Sequence, residues 1–433
     1  MLLDFTVENF RSIKGAETFS AVAASKSKAK ASNSESGRRV KSDDEIAQPF
    51  HIEGWDIDVL PVIAIFGANA SGKSNVLKAL DYILELMVRG DDDQGSQLIP
   101  FNLDELNAQN PSYFKLRTVF NGNIYTYSLL LNSDQIFEEK LNYALASTKR
   151  ERLLFSRIWD GLEQKFNWKS GSDFSGAHNQ LAKTLKENEP FISILFKLNV
   201  EVVQPLTQWM MVSQGGRYWG EQKFDISFLN HIWNAESQVN RHLILPEVFG
   251  KTKNFLRKFD TGLDDIEIRK IEDVNKKYQL YAIHKTSSGN QITWKFEEES
   301  LGTQRLFGII YRMQLMFLSG AFLMTADELG SNIHPNIVHE IVKLFQSPKT
   351  NPNRTQLIFT SHDNTLQRNN LLRRDQIWFT QKRPDQSTEL YPLSDFKVRN
   401  DLAIDKAYLD GRFGAVPFIS DEDDFMPVGE DNG

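Results

Sequence analysis

Gly67-Ala68-Asn69-Ala70-Ser71-Gly72-Lys73-Ser74 constrains this chain more than any other stretch, because it fits the pattern GxxxxGK[ST] at each fixed position and joins two elements of opposite periodicity. Before it, Val62-Ile63-Ala64-Ile65-Phe66 is an unbroken apolar run, as in a strand buried on both faces. After it, Val76, Leu77, Leu80, Leu84, Met87 and Val88 recur on one helical face, which Gly90 ends. A strand that turns on glycine into a helix aims backbone N–H groups and the positive end of the helix dipole at one spot, and that spot suits a polyphosphate. Gly67 and Gly72 permit the tight turn. Asn69, Ala70, Ser71 and Asn75 belong to the same cradle, Lys73 brings a point charge to the outer phosphates of ATP, and the Ser74 hydroxyl is placed to ligate Mg²⁺.

Three further segments add chemistry to the loop. Phe322-Leu323-Met324-Thr325-Ala326 is an apolar strand that delivers Asp327 and Glu328 at its carboxyl end, where ligands bind in a parallel α/β sheet. Asp327 is expected to hold Mg²⁺, and Glu328 to act as general base on an attacking water. The strand Gln356 to Thr360 ends in Ser361-His362-Asp363, which makes His362 a candidate γ-phosphate sensor. Glu299-Ser300-Leu301-Gly302-Thr303-Gln304-Arg305 precedes an apolar helix. Ser300 there reads as an N-cap with Thr303 in the first turn, and a serine and glycine at a helix start also form an anion site.

MLLDFTVENF begins acidic and alternating, which predicts an edge strand over residues 2–14 and not a signal peptide. The lysine-rich run AVAASKSKAKASNSES is a loop. Phe114, Leu116, Thr118 and Phe120 alternate up to Asn121-Gly122, and Tyr125, Tyr127, Leu129 and Leu131 alternate after it, predicting a hairpin. Residues 175–258 turn helical, with Trp209, Trp219 and Trp233 expected as core. The organisation expected is an N-terminal half, 1–170, with the phosphate loop and an antiparallel β subdomain; a helical insertion, 171–260; a C-terminal half, 261–420, with the remaining motifs; and a solvated acidic tail, 421–433. Asp91-Asp92-Asp93 reads as a solvated run, since three consecutive aspartates point different ways on a strand or helix.

Composition narrows the class. Of 433 residues 40% are apolar, enough for a sizeable core spread over two or three lobes. No cysteine is present, which excludes disulfides, zinc-thiolate and iron–sulfur centres and cysteine nucleophiles, and fits a reducing cytoplasm. Fifty Lys+Arg against 57 Asp+Glu give a net charge of −7, which argues against coating nucleic acid through bulk charge but leaves room for a local basic strip. Leu306 to Met324 is apolar over a membrane-spanning length, but Arg312 and Gln314 lie in its middle, so no span is expected.

The motifs in this order resemble the heads of ABC-class ATPases, and the resemblance covers most of the chain. FTVENFRSIK (Phe5 to Lys14) is similar to the first strand of chromosome-maintenance and recombination-repair heads, and LGSNIHP (Leu329 to Pro335) to their loop after the catalytic glutamate. The fold implied is α/β, a P-loop NTPase of ABC-ATPase head type. By that resemblance Ser300, Gly302 and Thr303 bind the nucleotide of a partner head, so that ATP is sandwiched in a homodimer or higher homo-oligomer with Leu329 to His334 across the seam. It also implies that Arg11 and Ser12 approach the nucleotide and that a glutamine, Gln94 or Gln97, contacts Mg²⁺.

SLGTQ departs from the transporters' SGGQ form, and no heptad pattern for a long coiled coil separates Lys73 from Glu328. The chain looks closer to stand-alone ATPases of bacterial antiphage and abortive-infection systems, the RloA, AbiL and PARIS AriA group, related to the ATPase part of overcoming-lysogenization-defect nucleases; YLDGRFGAVP (Tyr408 to Pro417) resembles a carboxyl-terminal motif of that group. The segment after His362 is too short for the nuclease domain of those relatives, so an effector such as a nuclease-like toxin is expected as a separate protein, with a phage protein as trigger. The alternative is a repair or recombination head that clamps DNA.

Overall fold

The computed structural model describes residues 1–24, 32–33, 39–40, 47–90, 98–174, 178–214, 217–218, 241–259, 261–271, 277–320, 322–368, 371–399 and 402–417. Strands β1 (Leu2–Glu8) and β2 (Glu17–Ser20) pair antiparallel, and β3 (Val62–Gly67) runs into helix α1 (Lys73–Arg89). A meander follows: β4 (Ser112–Phe120), β5 (Asn123–Leu131), β6 (Ile136–Ala144), β7 (Glu151–Asp160) and β8 (Lys165–Ser170). Together these form a seven-stranded antiparallel sheet in the order β8-β7-β6-β5-β4-β1-β2. The β4–β5 turn places Asn121 and Gly122 at φ 48° and 75°, the left-handed pair that makes Asn-Gly the tightest hairpin connection.

β1 is not the edge strand that its pattern suggested, because β2 and β4 pair on either side of it. Alternation reports which face of a strand is buried and carries no information on how many neighbours it has.

Between 171 and 260, α2 (Phe191–Lys197) and α3 (Gln204–Gln214) bury Phe191, Ile192, Leu195, Leu206 and Trp209 in one core with Val76, Leu80 and Ile83 of α1. Helix α4 (Arg241–Lys258) instead lies on the other core, with Phe249 edge-on to Phe307. The described helices of this stretch are therefore divided between two cores. Trp209 is fully buried, as expected; Trp219 and Trp233 lie outside the described residues, as do Asp91 to Asp93 and the acidic tail.

Strands β9 (Asp265–Ile271), β10 (Lys277–Lys285) and β11 (Gln291–Lys295) make a small antiparallel sheet that leads into α5 (Leu301–Ser319). Then come β12 (Leu323–Ala326), α6 (Pro335–Gln346), β13 (Gln356–Thr360), β14 (Ile377–Lys382) and β15 (Thr388–Pro392). The apolar stretch from Leu306 to Met324 is thus a helix, a left-handed stop at Gly320 and a strand; no helix among the described residues is long and apolar enough to cross a membrane.

The second large sheet has the order Arg217–Tyr218, β12, β13, β3, β14, β15, parallel except for the antiparallel edge strand β15. β3 is apolar from Val62 to Phe66 because both of its faces are covered. In β3, Ile63 and Ile65 face the α1 core, while Val62, Ala64 and Phe66 face the core containing α5 and α6. The carboxyl ends of β3, β12 and β13 converge on one edge.

Candidate functional site

The turn from β3 to α1 depends on two glycines. Gly67 has φ 155° and Gly72 φ 105°, and a Cβ on either would strike Thr380 or Thr388 of the adjacent hairpin. The loop is buttressed from the same side: Ser71 Oγ pairs with Thr380 Oγ1 at 2.7 Å, Thr388 Oγ1 donates to the Ser71 carbonyl at 2.9 Å, and Ser12 Oγ pairs with Thr388 Oγ1 at 2.7 Å. Asn75 Nδ2 donates to Ser12 Oγ at 2.7 Å, so the first sheet reaches the phosphate loop through Ser12. Arg11 next to it has φ 51°, with its guanidinium carbon 5.5 Å from the centre of the Phe10 ring.

A cavity of about 500 Å³ opens over the loop, lined by Asn69, Ala70, Gly72, Lys73, Ser74, Asn75, Glu328 and His362. Residues from three motifs far apart in sequence thus share one wall. Lys73 is nearly buried, and its Nζ donates to the carbonyls of Gly67 and Ala68, each at 2.9 Å. Burial pushes this ammonium down to about 8, against the opposing pull of Asp327 and Glu328. His362 is lowered as well, first by burial and then by Lys73, with Glu328 and Asp327 pulling the other way; the direction favours the neutral ring, which keeps one N–H to donate.

Ser74 Oγ donates to Asp327 Oδ1 at 2.9 Å, and Thr360 Oγ1 donates to the same oxygen at 2.6 Å. Thr360 Oγ1 also accepts the Glu328 N–H at 2.7 Å, so one hydroxyl at the end of β13 orients both carboxylate residues. A hydroxyl and a carboxylate side by side, below a cradle of backbone N–H groups, are oxygen donors that would hold Mg²⁺ through Ser74 and Asp327. Among the described residues no group of three or more histidines and acids is placed to hold a metal ion.

Ser300, Gly302 and Thr303 lie elsewhere. Ser300 caps α5, its exposed Oγ accepting the Thr303 N–H at 3.1 Å, and the Thr303 hydroxyl is turned back onto Ser300 at 2.9 Å and is largely buried. None of the three lines the cavity of their own chain. Gly302 packs beneath the loop that follows Glu328, since a Cβ there would sit 2.6 Å from the Asn332 carbonyl oxygen. Gln94 and Gln97 lie outside the described residues.

Motif reading gave no role to Thr360, Thr380, Thr388, Ser331 or Arg305, although Ser331 stands inside LGSNIHP and Arg305 ends the segment that begins at Glu299. Thr360 is marked as the last residue of the strand before His362. In YLDGRFGAVP the glycines serve packing: Gly411 and Gly414 are left-handed, and the turn they shape lets Tyr408 and Phe413 stack on Phe379 at 5.3 and 5.8 Å.

Strand order, phosphate loop and the paired carboxylates define a P-loop ATPase of the ABC/AAA type. Residues 62–368 match the family described as "AAA domain, putative AbiEii toxin, Type IV TA system", and the chain belongs to that family. No curated protein matches the chain in sequence. Among solved structures it is similar to an Smc head bound to the C-winged helix domain of ScpA, at 11% identity and TM-score 0.45, covering 94% of this chain and 99% of that one. It is also similar to the SMC head domain from Thermotoga maritima, at 13% identity and TM-score 0.39, covering 90% and 98%. A Smc head with an extended coiled coil, bound to the C-terminal domain of ScpA derived from Pyrococcus furiosus, gives 12% identity and TM-score 0.40, covering 95% and 98%. At these scores the likeness adds nothing to the strand order.

Proposed function

We propose that the protein is an ATP-driven switch in which two heads close on two ATP molecules and hydrolysis reopens them, and that the switch holds or releases a separately encoded effector in antiphage defence. The observation that carries the two-head reading is the division of the site. Lys73, Ser74, Glu328 and His362 share a cavity, whereas the exposed Ser300 cap and Gly302 belong to a different part of the surface, where a second chain's nucleotide can meet them. The family's description, with its words "putative AbiEii toxin, Type IV TA system", supports the defence setting.

In this reading Lys73 and the loop N–H groups grip the β- and γ-phosphates, with Ser74 and Asp327 as the protein's Mg²⁺ ligands. Bound Mg²⁺ supplies charge neutralisation on those phosphates. Water attacks the γ-phosphorus while the Glu328 carboxylate takes its proton, the bond from the γ-phosphorus to the bridging oxygen breaks, and ADP and phosphate leave; the His362 ring donates its N–H to a γ-phosphate oxygen.

Glu328→Gln tests the proposal. With Mg²⁺ and ATP this variant is expected to bind nucleotide, fail to release phosphate and run as a dimer in size exclusion with light scattering. A monomer with ATP bound rejects the two-head mechanism. Hydrolysis by the wild type that rises with duplex DNA and is salt-sensitive would favour a DNA clamp over the defence role.

A further inference from the structure

Glu328 is held at φ 51°, a left-handed conformation that a residue other than glycine keeps only where its surroundings over-determine it. Three contacts do so. Its N–H donates to Thr360 Oγ1, its carboxylate accepts from Ser331 Oγ at 3.1 Å, and its carbonyl accepts from Arg305 Nη2 at 2.8 Å. Thr360 and Ser331 belong to the strands and loop around the cavity. Arg305 does not: it comes from α5, one turn beyond the Ser300 cap, and is 2% exposed.

The start of α5 therefore touches the loop 328–332 twice, through Gly302 against the Asn332 carbonyl and through Arg305 against the Glu328 carbonyl. Close-packed contacts of this kind transmit displacement because the interior does not compress. We propose that Arg305 is a positioning residue that makes Glu328 responsive to the nucleotide gripped by the opposite head. The proposal rests on the two-head reading. Ser300 and Gly302 meet the ATP held by the partner, whereas Glu328 serves the ATP held by its own chain, so Arg305 joins the two sites of a dimer. Occupation of one site then sets the base of the other, and hydrolysis depends cooperatively on ATP. Arginine suits the task, being charged at any physiological pH and presenting its donors in a rigid fork.

Arg305→Met keeps bulk and removes the donors, and Arg305→Lys keeps charge. In the full-length protein with Mg²⁺ and ATP, Arg305→Met is expected to lower kcat on the order of 10–100-fold, the scale of a misplaced catalytic group. ATP affinity should stay within about twofold, and the Hill coefficient should fall from about 2 toward about 1. Arg305→Lys should recover part of kcat. Added to Glu328→Gln, Arg305→Met should leave the ATP-dependent dimer intact, since Arg305 acts on the base and not on the grip of either head.

An Arg305→Met protein with wild-type kcat and cooperativity, or a loss of affinity that matches the loss of kcat, overturns the role of Arg305. If Arg305→Met melts far below the wild type, Arg305→Lys with unchanged kcat and Hill coefficient is the result that overturns it. A Glu328→Gln protein that binds ATP as a monomer overturns the two-head reading and the coupling together, an outcome distinct from failure of Arg305 alone in a dimer that forms.

Discussion

Ser74 Oγ and Asp327 Oδ1 are hydrogen-bonded at 2.9 Å although 253 positions separate them in the chain. The contact follows from the sheet. β3 and β12 both flank β13, run parallel to it and end at the same edge, so the first turn of α1 and the residue after β12 meet there. Thr360 at the end of β13 completes the contact from between them.

Replacing Asp327 with Asn should expose its role as metal ligand. The amide keeps the shape and the contact with Ser74 but presents no negative charge to Mg²⁺. Phosphate release should fall on the order of 100-fold or more, while binding of a fluorescent ATP analogue in EDTA stays near the wild-type value. Undiminished turnover at the wild-type Mg²⁺ requirement would remove Asp327 from the site.

Lys73 should make nucleotide affinity depend on pH. Its amine titrates near 8 in the nucleotide-free protein, lowered chiefly by burial, and only the ammonium form attracts the phosphates. Raising the pH above 8 therefore removes the attracting charge, and affinity should weaken by up to about tenfold per pH unit. Titrations from pH 6.5 to 9.5 check the sign, with Lys73→Ala abolishing binding throughout. An affinity that rises with pH would contradict the assignment.

Much of this site was legible because its chemistry is written locally. A phosphate loop needs its glycines, lysine and serine in consecutive positions, and Asp327-Glu328 and His362 sit where apolar strands end. Chain order supplied the rest of the signal. The residues that were not legible act across the sheet: Thr380 and Thr388 touch the loop through a hairpin that the sequence places after the last motif of the cavity, His362. Arg305 reads as one more helix residue until the loop beyond Glu328 is laid over it. The misjudged placement of β1 has the same origin, since pairing on both sides depends on β2 and β4 and not on the strand itself.

Thr360→Val should separate the hydroxyl's role from its volume. The variant removes a donor to Asp327 and the acceptor of the Glu328 N–H, each bond being worth about 1 kcal/mol. A loss of about 1–2 kcal/mol in urea unfolding is expected, with a larger effect on turnover than on ATP affinity, because both carboxylates lose their orientation while Lys73 does not. Thr360→Ser should restore both. Turnover by Thr360→Val equal to that of the wild type would show that the carboxylates are held without it.

A last prediction concerns the frame that carries α1. Arg157 on β7 and Glu139 on β6 form an ion pair at 2.7 Å, with side chains 1% and 0% exposed. Glu139 also accepts the N–H groups of Phe191 and Ile192 at 2.8 and 3.0 Å and the Tyr127 hydroxyl at 3.0 Å. One carboxylate thus ties the antiparallel sheet to the start of α2, which packs on α1 near its carboxyl end at Gly90. Removing only the cation strands a buried anion, so Arg157→Met should cost about 3–5 kcal/mol in chemical denaturation. Adding Glu139→Gln removes the charge and should return part of that loss, since the amide oxygen still accepts from the α2 N–H groups. A double variant less stable than Arg157→Met would show that the carboxylate matters to the helix start for its charge more than for its hydrogen bonds.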